Sequence, residues 1–81
     1  MFRMQPEPEV LIEDRTSALT DREREVLLLL GDGLSTKEIA ERLEISPSTA
    51  SIHVCHMYEK LGVHRAVSAV RYAIRVGFMS A

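Results

Sequence analysis

The chain has 81 residues, 46% hydrophobic and 27% charged, with a net charge of −2 and a pI near 5.9. That length bounds it to one small domain with a marginal core, a size at which disulfides, a metal or oligomerisation usually help. A lone cysteine, Cys55, excludes an internal disulfide framework, the five-residue apolar run Val26–Leu30 is far short of the ~20 residues of a membrane span, and acidity alone argues against a nucleic-acid partner. The charge is uneven, however. Residues 45–81 set Lys60, Arg65, Arg71 and Arg75 against Glu59 alone, while the rest of the chain is acidic. With no signal-like start, a cytoplasmic protein is expected.

Residues 1–18, with Pro6, Pro8 and scattered acids, show no sustained period and are expected to form a flexible tail or linker, leaving 19–81 as the domain. Thr20 followed by Glu23 spells a capping box, with Leu19 placed for a hydrophobic staple. A first helix then carries Val26, Leu27 and Leu30 on one face and stops at Gly31-Asp32-Gly33. Ser35 and Glu38 form a second capping box for a helix over 36–43, with Ile39, Ala40 and Leu43 inward. Glu44-Ile45 is the turn. Ser46-Pro47 is an N-cap followed by proline at the first helical position.

The third helix is predicted over 47–61, with Ala50, Val54, Met57 and Leu61 as its core stripe. Ser48, Ile52, Cys55, His56 and Glu59 fall on the opposite face, flanked by Thr49 and Ser51, and His53 lies beside the core stripe. A fourth helix over about 65–76 carries a wide apolar arc from Ala66 to Val76 and leaves Ser68, Arg71, Tyr72 and Arg75 outside. No alternating β-rich run appears. The fold class is all-α, with four helices.

Two short helices joined by a three-residue connection, the second with a small polar N-terminus and an outward face, make a helix-turn-helix. "LTDREREVLLLLGDGLSTKEIAERLEISPSTASIH" followed by "KLGVHRAVSAV" resembles the DNA-binding domain of the LuxR/FixJ (GerE-like) family of bacterial transcription regulators, over residues 19 to about 78. Within it, "HVCHMYEKL" looks closest to the nitrate-response-regulator branch. The resemblance implies a transcriptional regulator of double-stranded DNA whose third helix enters the major groove. Base-facing residues would be Ser51, Ile52 and Cys55, with Thr49 near the groove. Phosphate contacts would come from Thr36, Lys37, Ser46, Ser48, His53 and Lys60. It also implies a homodimer through the fourth helix, with Ala66, Val67, Val70, Ala73 and Ile74 at the seam. RNA polymerase or a partner regulator are further expected partners.

The sequence also departs from that pattern. Many relatives carry Val-Lys where this chain has Ala50-Ser51, and nitrate-type members carry another lysine in place of Cys55. Between Arg42 and Lys60 there is no Lys or Arg. Weaker affinity with a flatter salt dependence is the expectation, because phosphate neutralisation supplies most non-specific binding. Near the fourth helix, Arg65-Ala66 stands where relatives read Ser-Arg or Asn-Arg, so the usual cap is missing.

Other chemistries fare worse. His53, Cys55 and His56 do not make a metal site, since Cys55 points about 160° from His53 on a helix of 100° per residue. No phosphate-cradling glycine loop or nucleophile–base signature is present, and neither an enzyme nor a cofactor is expected. Cys55 is read as inert, although an exposed thiol can act as a redox switch. The competing function is a helix-turn-helix-derived protein-interaction module with little DNA binding of its own. Whether the chain stands alone or belongs to a longer regulator with a receiver or sensor domain stays open at this point.

Overall fold

Each of the first three helix starts is set by a side chain only three residues from the amide it satisfies. Thr20 Oγ1 accepts from the Glu23 amide at 3.1 Å while Glu23 Oε1 accepts from the Thr20 amide at 2.9 Å. Ser35 and Glu38 repeat this exchange at 3.2 and 2.7 Å, which holds the Glu38 carboxyl below the usual carboxylate range. Ser46 Oγ accepts from the Thr49 amide at 3.1 Å, with Pro47 next in line. The computed structural model describes residues 14–80. Among them are a 3-10 turn, Arg15–Ala18, and four α-helices: α1 Asp21–Gly31, α2 Thr36–Leu43, α3 Pro47–Leu61 and α4 Ala66–Arg75. No strand occurs among the described residues. The all-α expectation holds.

The helix ends share one geometry. After α1, α2, α3 and α4 the chain turns through a left-handed residue: Gly33, Glu44, Gly62 and Gly77. In each case the following amide reaches back to the first carbonyl of the last turn: Leu34 to Leu29, Ile45 to Ala40, Val63 to Tyr58 and Phe78 to Ala73. These are Schellman motifs, which satisfy carbonyls that the helix leaves open. Only Glu44, in the helix-turn-helix itself, adopts this conformation with a side chain, at φ 59°.

The core is one cluster. Val26, Leu27 and Leu30 of α1, Ile39 of α2, Val54, Met57 and Leu61 of α3, and Ala69 and Ala73 of α4 meet in it, joined by Leu19. The predicted core stripe of α3 is buried in full, and Leu43 is half-buried. Leu19 packs into the core, but its expected staple partner position is the exposed Arg24. Among the described residues no buried side-chain N or O atom lacks a hydrogen-bond partner. Among the described residues no helix is long and apolar enough to cross a membrane.

Two sequence expectations need correction. Residues 14–18 depart from the flexible segment expected over 1–18, because Asp14 caps the 3-10 turn and Thr16 is buried, its hydroxyl bonded to the Asp14 carboxylate. Residues 1–13 lie outside the described residues. Tyr72, placed outside α4, is half-buried and its Oη accepts from the Arg15 amide at 2.8 Å.

Candidate nucleic-acid interface

α3 packs against α2, α1 and the 3-10 turn along its apolar stripe, so burial of that stripe fixes what the helix turns outward. Ser48, Thr49, Ser51, Ile52, Cys55, His56 and Glu59 are all exposed, and His53 is half-buried at the margin. Ile52 stands out. It is 53% exposed, one of three large hydrophobics so exposed among the described residues, the others being Leu28 and Val67. Its neighbours one turn away on the helix surface are Ser48 and Thr49 on one side and Cys55 and His56 on the other.

The N-terminal end of α3 carries a small hydroxyl cluster. Ser46 Oγ donates to Thr49 Oγ1 at 2.9 Å and lies 3.2 Å from Ser48 Oγ. With the open amides of the first turn these hydroxyls present donors suited to an anionic oxygen. At the start of α2, Thr36 is half-buried and Lys37 is exposed, its ammonium in no ion pair among the described residues. The residues read as backbone contacts at the two helix starts therefore have accessible groups.

Lys60 is placed differently from that expectation. Its ammonium donates to Glu23 Oε1 at 2.7 Å, and the Glu23 side chain is 5% exposed. Burial alone raises the pKa of the Glu23 carboxyl, but the Lys60 hydrogen bond, the Thr20 amide and the Lys60 charge outweigh it and hold the group below the usual carboxylate range. The only lysine of α3 is thus engaged in tying the end of that helix to the start of α1. Glu59 remains exposed, and the Cys55 thiol is turned toward its Oε2 at 4.0 Å. Three or more His, Cys, Asp or Glu side chains placed to hold a metal do not occur among the described residues.

The α4 face divides. Val67 is 63% exposed, and Ala66, Val70 and Ile74 are half-buried. Ala66, Val67 and Val70 line an apolar groove with Leu30 and Arg71. Ala73, expected at the dimer seam, is fully buried in the core, as is Ala69. Small residues at those two positions let α4 approach α1 within the domain. Arg65 precedes α4 without a side-chain capping bond, as its sequence implies.

Sequence reading missed two long-range ties, Glu23–Lys60 and Arg15 with Tyr72 and Leu61. Glu23 already had a sufficient local role in its capping box, which concealed the second one. No local signal marks Arg15.

Comparison with known proteins places this geometry. The family described as "GerE: Bacterial regulatory proteins, luxR family" matches residues 17–73. A Mycobacterium tuberculosis protein named as an HTH-type transcriptional regulator is 47% identical over 60 residues, covering 74% of this chain and 7% of its own length. The transcriptional regulatory protein MctR of Rhizobium johnstonii is 41% identical over 69 residues, covering 85% of this chain and 32% of its own. The chain therefore spans a third or less of these curated relatives. A solved structure of the transcription factor GerE superposes with a TM-score of 0.68 at 40% identity, over 76% of this chain and 92% of that one. With its match over most of its length and its four helices in the same fold, the chain belongs to the luxR family of bacterial regulatory proteins.

Proposed function

We propose that this domain binds double-stranded DNA in transcriptional control, presenting the outward face of α3 to the major groove. The observation that carries the reading is the division of α3. One stripe is buried against α1 and α2, while Ser48, Ser51, Ile52 and Cys55 stand exposed beside the hydroxyl cluster of its first turn. An α-helix fills the major groove, and small polar residues at its start allow close approach to the phosphates. Relatives named as transcriptional regulators support the same role, and a regulatory domain of this family is not an enzyme. Assignment to the nitrate-response branch gains nothing from these relatives, so the proposal stays at the level of the family. Binding to chromosomal DNA would put the protein in the bacterial cytoplasm.

Phosphate contacts are assigned to Thr36, Lys37, Ser46 and Ser48, with Thr49 near the groove, His53 at the margin and Lys60 reduced in role by its bond to Glu23. A homodimer through α4 is part of the proposal, with Ala66, Val67, Val70 and Ile74 at the seam and Ala73 withdrawn to the core. RNA polymerase and a second regulator remain candidate partners on the same footing.

The test is the slope of log affinity against log salt on random duplex, followed by anisotropy. With no free cation on α3, wild-type affinity is expected at or beyond the ~10⁻⁴ M end of the non-specific range. Ser51→Lys with Cys55→Lys should strengthen binding and steepen the slope by up to ~0.9 per new phosphate contact. Both sites are exposed, so stability should change by no more than about 0.5 kcal/mol. A folded double variant that binds no better at low salt would hand the function to the protein-interaction reading.

A further inference from the structure

We infer that this domain selects its DNA chiefly through the 5-methyl group of thymine, received by Ile52; the inference rests on the proposed docking of α3 in the major groove. Two-point reading of guanine takes Arg or Lys, and two-point reading of adenine takes Asn or Gln. The exposed face of α3 contains none of these four residue types. The one lysine of the helix has its ammonium at 2.7 Å from a buried carboxylate. What the face offers instead is weak or single-point. Ser48 and Ser51 are permissive, either donating or accepting. His56 provides one contact at a time, and the Cys55 thiol is directed along the helix to Glu59.

Ile52 is the exception in size and chemistry. It is the one large hydrophobic on this face and is half exposed, with short side chains at Ser48 and Cys55 one turn away that leave its tip protruding. In the major groove the only apolar feature at a base edge is the thymine methyl. A branched alkyl side chain that costs free energy in water gains it back by covering that methyl. The base-reading chemistry of this helix is therefore apolar, and A·T pairs are the partners it can recognise.

The experiment starts from the tightest duplex recovered by selection from a random-sequence pool. Each thymine is replaced in turn by deoxyuridine, which removes the methyl and leaves the pairing unchanged. Loss of one buried methyl corresponds to about a fourfold weaker Kd, expected at one or two thymines per half-site. Ile52→Ala, checked for helicity by circular dichroism, should bind the thymine duplex more weakly and lose nothing further on replacement by uracil. A wild-type Kd indifferent to every replacement would overturn the inference while leaving DNA binding intact. Equal methyl sensitivity in wild type and Ile52→Ala would overturn it as well. A pool from which no duplex is enriched over random sequence would instead bring down the DNA-binding reading itself, and this inference with it.

Discussion

Glu23 Oε1 accepts two hydrogen bonds at once, from the Thr20 amide at 2.9 Å and the Lys60 ammonium at 2.7 Å. Glu23→Gln keeps a carbonyl for the cap but removes the charge that Lys60 meets. Breaking a fully buried ion pair costs about 3–5 kcal/mol because the orphaned charge stays in the core. Here the Lys60 side chain is 35% exposed and can turn to water. A loss of about 1–3 kcal/mol is expected instead, read from urea unfolding. The pH dependence has a definite sign. Because the folded Glu23 pKa lies below its unfolded value, its contribution is present above the unfolded pKa of ~4.3 and lost as pH falls through the folded one. The gap between wild type and Glu23→Gln should therefore close in acid. A gap constant from pH 7 to 3 would show that the carboxylate charge is not what Lys60 stabilises.

Among the elements, the turn between α2 and α3 is the one built against local preference. Gly33, Gly62 and Gly77 adopt the left-handed conformation without a Cβ, whereas Glu44 does so at φ 59° with its side chain exposed. An L-residue there costs roughly 1–2 kcal/mol, and glycine's extra unfolded-state freedom returns about 0.5–1 of that. Glu44→Gly is accordingly expected to stabilise the fold by about 0.5–1 kcal/mol, raising the urea midpoint at constant m-value. An unchanged or lowered midpoint would mean that the Glu44 side chain supports the turn. The same element scale explains what was legible in the sequence. Helix starts at Thr20, Ser35 and Ser46 are decided three residues away, and the face of α3 by its own period, so both could be read locally. The bonds from Lys60 to Glu23, Arg15 to Leu61 and Arg15 to Tyr72 span 37, 46 and 57 residues, and no periodicity encodes them. The α4 arc is visible as apolar, but which half of it faces α1 is set by packing, so the burial of Ala73 within the domain could not be read from the period alone.

At the scale of the whole molecule, three of the four basic residues of the C-terminal half, the exposed Arg65, Arg71 and Arg75, sit on and beside α4, while the fourth, Lys60 of α3, is paired with Glu23. The apolar groove of Leu30, Ala66, Val67 and Val70 lies on that same side. Val67→Asp tests the proposed homodimer more cleanly than a change at the half-buried Val70, since 63% exposure leaves little packing to lose. Sedimentation should show dimer falling to monomer, with stability altered by no more than about 0.5 kcal/mol. Wild-type protein that remains monomeric near millimolar concentration would exclude this seam. The 3-10 turn has a mechanical meaning as well. The described chain enters at Asp14, and Arg15 fastens it at two points: its amide to Tyr72 Oη in α4, and its Nη1 at 3.3 Å from the carbonyl of Leu61, the last residue of α3. Tension arriving along the backbone from the N-terminal side therefore passes through the Asp14 cap to these two bonds. It loads the end of α3 and the middle of α4 together, before any side chain is drawn from the core.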